Sequence, residues 1–311
     1  MRAGKIIEVL ESVAPPAIQE SWDNSGLSVG DTGTDVKSAI LALDCTEEVI
    51  DEAVETGANM IITHHPLIFR GVKQITPDTN TGRMLIKAIK EDLVIYSLHT
   101  NMDKIISGVS GKMAQKLGLE DISFLKADPS GETGTGLVGN LPQPMSYSEL
   151  VAKVKREFSV KCIKSSAVPV EKVSRVALCG GSGASFADDA LNSGAQVYIT
   201  GDISYHLFFT EKGFAIMDIG HYESETGVLE VIKDILLKKC LHLQFALQRK
   251  IIIPYTTFNN RLWQQLNQKS LLKPLWTEEL SFLCRRLPMR VTSVWRQSCV
   301  FYTICNRQTV R

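Results

Sequence analysis

Residues Ala53-Val-Glu-Thr-Gly-Ala-Asn-Met-Ile-Ile-Thr63 and Ala190-Leu-Asn-Ser-Gly-Ala-Gln-Val-Tyr-Ile-Thr200 are one stretch written twice. Identities fall at Ala53/Ala190, Gly57/Gly194, Ala58/Ala195, Ile62/Ile199 and Thr63/Thr200. Upstream, the apolar run Ala39-Ile-Leu-Ala-Leu43 stands at the same offset from Val176-Ala-Leu-Cys-Gly180. Downstream, His99-x-x-x-Asp103 answers His221-x-x-x-Glu225 at a slightly smaller offset, as a shorter intervening helix in the second copy would give. A repeat of this kind reads as an internal duplication. Each copy then runs strand, helix, strand, helix, strand. The apolar runs alternate little, which points to strands buried on both faces. The helix over 46–56 has Asp44 or Thr46 as its N-cap and Glu47 and Glu48 in its first turn, where they suit the helix dipole. Gly57 follows as its C-terminal stop. The fold class predicted is α/β, built from two similar halves.

Five metal-type side chains sit at the ends of these strands. The doublet His64-His65 closes Ile61-Ile-Thr-His-His-Pro66, Asp103 follows the run at 93–98, and His221 and Glu225 follow the run at 215–219. Residues just beyond the carboxyl ends of strands are where α/β sheets place their ligands. Imidazole and carboxylate suit a borderline first-row divalent metal. Five ligands exceed what one tetrahedral ion needs, so two ions are expected, with zinc, iron and manganese all compatible. Neighbours in an extended segment point to opposite sides, so His64 and His65 could reach different ions, or one could ligate while the other orients. His99 and His221 hold equivalent places, as do Asp103 and Glu225. His99 is therefore expected at the site as a sixth ligand, a proton donor or an orienting group. The duplication aligns Asp202 with His65 and aims it at the same cavity; the alternative is an N-cap for a helix over 203–210. Cys179-Gly-Gly-Ser-Gly183 joins a strand to a helix beginning near Ser185. Gly180, Gly181, Ser182 and Gly183 could offer amides to a phosphate, or simply make a tight turn; no Walker lysine follows. Cys45 and Cys179 read as buried packing thiols rather than nucleophiles.

The chain has 311 residues and 44% hydrophobic content, enough for one large or two ordinary domains. The segmentation predicted is a first half over 1–127, a turn-rich connection over 128–144 with a possible strand at 136–139, a second half over 145–239, and a tail over 240–311. An amphipathic helix over 148–158 opens the second half, with Leu150, Val151, Val154 and Phe158 on one face. No stretch has the roughly 20 apolar residues of a membrane span, and the start lacks a secretory pattern, its apolar run being broken by Glu8 and Glu11. Seven cysteines without CxxC or disulfide-like spacing fit a reducing, cytoplasmic compartment.

The net charge of zero conceals an uneven split. From Cys240 onward there are 11 Lys and Arg against 2 acids, leaving 23 bases and 32 acids before it. All 22 glycines precede residue 228, whereas three of the four tryptophans and four of the seven cysteines fall in the last 72 residues. The codons permitted for residues 240–258, read from the third base of the first, can encode PTFAVRVAEKNNNPVYYF, and the Phe258–Asn259 junction then permits a TAA stop. The expectation is that a frameshift near Lys239 replaced a native last strand, leaving a poorly ordered, out-of-frame basic tail. The competing view is a real tail that binds nucleic acid or an anionic surface; nucleic acid is the less favoured partner.

These motifs together resemble one family, the dinuclear-metal family called GTP cyclohydrolase 1 type 2 or NIF-three-like. The carrying residues are Trp22-Asp-Asn-Ser-Gly-Leu27, Thr63-His-His-Pro-Leu67, His99-Thr-Asn-Met-Asp103, Thr200-Gly-Asp202 with Tyr205-His206, and Gly220-His-Tyr-Glu-Ser-Glu225. The resemblance covers roughly residues 1–239, and the alternate-frame text is similar to the family's usual ending. It implies two intertwined α/β halves with mixed sheets, a homohexameric ring, no inserted domain, and a metal site of His64, His65, Asp103, His221 and Glu225. It further implies hydrolytic opening of the guanine imidazole ring of GTP with release of formate. Family names do not prove substrates, so a metal-binding scaffold or regulator with another substrate, or none, is the alternative.

Overall fold

The structure is a computed structural model that describes residues 1–167, 170–240, 243–249 and 254. The strands are β1 (Gly26–Val29), β2 (Ser38–Ala42), β3 (Met60–Thr63), β4 (Val94–Ser97), β5 (Glu120–Ala127), β6 (Gly134–Ser146), β7 (Lys164–Ser165), β8 (Lys172–Ser182), β9 (Val197–Gly201), β10 (Ala215–Asp218) and β11 (Gln244–Leu247). The helices are α1 (Ala3–Glu11), α2 (Glu47–Thr56), α3 (Asn80–Lys90), α4 (Thr100–Asp103), α5 (Val109–Leu117), α6 (Tyr147–Glu157), α7 (Ala187–Asn192), α8 (His221–Glu225) and α9 (Val228–Lys239). They build two mixed sheets, ordered β1-β4-β3-β2-β11 and β5-β6-β8-β9-β10-β7.

The duplication is visible in the hydrogen-bond register. In the first sheet Ala39 pairs with Met60 on the parallel strands β2 and β3; in the second, Val176 pairs with Val197 on β8 and β9, at the same separation. The third strands, β4 and β10, extend each parallel trio. The shorter second connection is also present. Where the first copy has the eleven-residue α3, the second has a 3₁₀ turn at Tyr205–Phe208. Both trios are buried on both faces because each sheet separates two apolar layers. In the first sheet Leu41, Ile62 and Tyr96 face one layer, while Ile40, Ile61 and Ile95 face the other.

The halves exchange segments. Strand β5, which falls inside the stretch 1–127, pairs antiparallel with β6 in the second sheet. Helix α9, from the second half, packs Val228, Ile232 and Leu236 among Ile6 and Leu10 of α1 on the first sheet. Where turn chemistry suggested a connection over 128–144, the structure has the thirteen-residue β6, far longer than the strand expected at 136–139. Its Pro142 and Pro144 are tolerated because they lie within a register shift between Asn140 and Met145, where the ladder to β8 is interrupted.

Local signals explain the helix ends. Thr46 caps α2, its side chain accepting from the Val49 amide at 3.3 Å, and Gly57 stops it with φ +72°. Ser146 and Glu149 form a reciprocal capping box at the start of α6, whose Leu150 and Val154 are buried. No helix among the described residues is long and apolar enough to cross a membrane.

Most of 240–311 lies outside the described residues, including nearly all of the stretch expected to be out of frame and poorly ordered. At 244–247, however, the chain forms β11, parallel to β2, with Phe245 opposite Ala39. It thereby forms one edge of the first sheet, beside β2. The carboxylate of the buried Glu52 on α2 accepts from the Arg249 amide at 2.9 and 3.1 Å, fixing the end of β11.

Candidate metal centre

The carboxyl ends of β3, β4 and β10 converge, and all five expected ligands meet there. His64 and His65 leave β3, Asp103 closes the single turn of α4 after β4, and His221 and Glu225 bracket the single turn of α8 after β10. Gly220, at φ +95°, makes the strand-to-helix turn that swings His221 and Glu225 onto one side. His64 Nε2 lies 3.7 Å from Asp103 Oδ1 and 3.8 Å from Glu225 Oε1. His65 Nε2 and His221 Nε2 each lie 3.0 Å from Glu225 Oε2 and 3.4 Å from one another. Two overlapping donor groups result, His64 with His65 and His99, and His65 with His221 and Glu225.

Each imidazole is held from behind through Nδ1. His64 Nδ1 donates to the Leu98 carbonyl at 2.8 Å. His65 Nδ1 faces Asp44 Oδ1, His99 Nδ1 faces Asp23 Oδ1 and His221 Nδ1 faces Asp202 Oδ2, each at 2.7 Å. Nε2 is therefore the nitrogen that each of these four rings leaves for the centre. A ring nitrogen bonded to a carboxylate or carbonyl in this way is how metal-ligating histidines are oriented. Asp202 supports His221 rather than capping the following turn, whose N-cap is Ser204. It does so from a left-handed backbone conformation, φ +56°.

The electrostatics favour a positive charge at the centre. Burial disfavours an imidazolium at His65, but Asp44 and Glu225 outweigh it and push this group up to about 10. His221 is likewise pushed up to about 9, Glu225 and Asp202 overcoming burial. Burial works against ionisation of Glu225, yet the imidazoles of His221, His64 and His65 crowded around it hold its carboxyl well below the usual range. Burial pushes the Asp103 carboxyl up, His64 opposing and Glu225 adding to the rise.

His64 Nε2 and Glu225 Oε2 are buried without a hydrogen-bond partner. Unsatisfied buried polar atoms are costly. Here they belong to a borderline donor set of imidazoles and carboxylates whose free atoms point at one another. The residues present thus fit one or more divalent metal ions.

The loop over 180–183 is shaped by this centre. A Cβ at Gly181 would overlap Glu225 Oε1 and lie 3.1 Å from its Cδ. The Gly181 amide donates to Ser224 Oγ at 2.9 Å and the Gly183 amide to Thr200 Oγ1 at 3.0 Å. Those two amides are therefore committed inside the fold, not offered to a phosphate, while Gly180 and Ser182 border a cleft of about 640 Å³ that opens onto His99, Asp103, His221 and Glu225. The helix expected from Ser185 is a 3₁₀ turn leading into the short α7. Trp22 and Lys126 also border the cleft. Cys45 and Cys179 are buried, and burial pushes both thiols up to about 12, as packing thiols should be.

A model of the Duf34/NIF3 (NGG1p interacting factor 3) family matches residues 1–256. The chain belongs to this family. It is 41% identical to the GTP cyclohydrolase 1 type 2 homolog of Clostridium perfringens over 232 residues, 74% of this chain and 88% of that protein. It is 32% identical over 251 residues to the NIF3 homolog of Schizosaccharomyces pombe, covering 76% and 88% of the two chains. Among solved structures, a Bacillus cereus protein related to NIF3 superposes with a TM-score of 0.76 at 25% identity, covering 83% of this chain and 99% of its own. For this member of the Duf34/NIF3 family the match runs beyond the motif-bearing residues 1–239 into the tail.

Two supporting residues escaped the sequence. Asp44 was legible only as a helix cap, and Asp23 only as part of a motif. Their partners lie 21 and 76 residues away, and no spacing rule connects them.

Proposed function

We propose that this chain is a dinuclear metal-dependent hydrolase, with ring opening of GTP and formate release as the reaction to test first. His64, His65, Asp103, His221 and Glu225 would hold two divalent ions, with His99 at the edge of the same cluster. The observation that carries the proposal is the pair of buried, unpartnered atoms, His64 Nε2 and Glu225 Oε2, inside a ring of inward-facing imidazoles. Ions bound there would supply Lewis acidity, polarising an electrophilic carbon and acidifying a water near neutral pH.

The chain's own residues do the rest. Asp44 and Asp202 orient His65 and His221. His99, bordering the cleft with Nδ1 held by Asp23, is placed to take a proton from an attacking water at Nε2 and pass it on to a departing nitrogen. Trp22, with an edge-to-face contact to Phe69 at 5.9 Å, offers an exposed aromatic face to a flat base. Lys126 carries no ion pair among the described residues and gives the acidic body a local attraction for an anionic substrate. A cytoplasmic location and a homohexamer belong to the same proposal.

The printed names of the relatives divide between a cyclohydrolase homolog and an interacting factor, so a metal-binding scaffold is the second reading. Formate assayed from GTP, with zinc, iron or manganese and with chelator, separates them. Metal-dependent formate that vanishes in His65→Ala supports the hydrolase. Metal binding with no formate under any metal removes GTP as the substrate.

A further inference from the structure

We propose that Asp23 is a positioning residue that fixes His99 in the tautomer protonated at Nδ1 and so delivers a bare Nε2 to the centre. The inference rests on the metal-centre reading only for the purpose it assigns to that nitrogen.

The Asp23 side chain is fully buried. Its Oδ1 accepts from the Asn24 amide and from His99 Nδ1, both at 2.7 Å. Its Oδ2 accepts from Ser25 Oγ at 3.0 Å, from the Thr100 amide at 3.0 Å and from Thr100 Oγ1. Two of these donors are backbone N–H groups, which can do nothing but donate. The hydroxyls are also committed in direction. Thr100 Oγ1 accepts from the Glu20 amide at 2.9 Å, and Ser25 Oγ accepts from the His99 amide at 3.2 Å, so each passes its proton on to Asp23. A carboxylate offers about four acceptor sites; this one is saturated by five donors. An ionised, acceptor-only partner requires the proton on His99 Nδ1. The hydrogen bonds from His99, Thr100 and Asn24 overcome burial and hold the Asp23 carboxyl well below its usual range.

Asp23→Asn tests this because an amide keeps the shape and gives up one acceptor. If its NH₂ took the Oδ2 position it would face the Thr100 N–H and two committed hydroxyls. The Oδ1 position costs one backbone conflict, at Asn24, and lets His99 Nδ1 accept. The substitution is therefore expected to move the His99 proton to Nε2. Thr100→Val is the comparison. It removes a donor from the same clamp but leaves Nδ1 facing a carboxylate.

The measurement is the ¹⁵N shift pair of the His99 ring in the full chain, followed by zinc titration. Wild type should show Nδ1–H and a bare Nε2. Asp23→Asn should exchange the two assignments and weaken zinc binding about 10- to 100-fold, the usual effect of removing such a partner. Thr100→Val should keep the wild-type tautomer. An Nε2–H tautomer in wild type overturns the proposal even if Asp23→Asn does not fold. So does an unchanged tautomer in Asp23→Asn, or an exchange in Thr100→Val, which would make the clamp merely structural. An exchanged tautomer with undiminished zinc affinity upholds the role of Asp23 and removes His99 from the metal centre.

Discussion

Gly181→Ala should empty the metal centre without replacing a ligand, and Gly194→Ala calibrates how. Both glycines lie in the left-handed region, at φ +64° and +78°. A side chain there costs about 1–2 kcal/mol. At Gly194 nothing lies within 4 Å of the added Cβ, so the backbone cost is the whole effect. At Gly181 the Cβ overlaps Glu225 Oε1, with His221 Cε1 only 3.4 Å away. Restoring an ordinary C···O separation of about 3.3 Å carries the carboxylate off by roughly 1 Å. Metal–ligand distances tolerate only about 0.2 Å. Glu225 also anchors His65 and His221, so three ligands shift together. Urea unfolding should show both variants destabilised by about 1–2 kcal/mol, Gly181→Ala by more. Metal analysis should find Gly194→Ala loaded like wild type and Gly181→Ala depleted, with affinity down at least about 100-fold, the upper end for a disturbed supporting group. Full loading of Gly181→Ala at wild-type affinity would refute the argument that this glycine exists to make room for Glu225.

Three further outcomes follow from packing and titration. Glu52→Ala leaves the Arg249 amide without its acceptor, which should cost about 1–3 kcal/mol and raise hydrogen exchange selectively at 244–247; unchanged exchange there would disconnect Glu52 from β11. Ser146→Ala breaks the capping box of α6 and should lower stability in urea by about 1 kcal/mol; no change would show that the box adds nothing. Iodoacetamide reacts with thiolates. Burial pushes Cys45 and Cys179 up to about 12, so raising the pH from 7 to 9 should leave both unmodified in the folded chain while the exposed Cys162 is alkylated. Peptide mapping that finds Cys179 modified at pH 8 would contradict its burial.

The parts legible in the sequence were those carried by short-range pattern. The repeated Ala53 and Ala190 segments disclosed the duplication, and the pairings Ala39–Met60 and Val176–Val197 reproduce it in the sheets. His64, His65, Asp103, His221 and Glu225 were legible because each follows an apolar strand. What stayed hidden depends on distant partners. Nothing local says that β5 leaves the first half to pair with β6, since strand pairing is decided across the sheet. Pro142 and Pro144 read as loop because the register shift that accommodates them is a property of β8 as well. The glycines at 180–183 suggested either a phosphate cradle or a tight turn. Only the position of Glu225, over forty residues on, shows why Gly181 has no side chain. Asp23 and Asp44 were missed for the same reason, their histidine partners lying elsewhere in the chain.

The most direct test is the metal content per chain of wild type and Glu225→Ala, each purified without chelator and then titrated with zinc. Glu225 touches His64, His65 and His221, so two ions per wild-type chain are expected, with loss of both tight sites in the variant and the fold retained by circular dichroism. A Glu225→Ala chain that still binds two zinc ions at wild-type affinity would contradict that expectation.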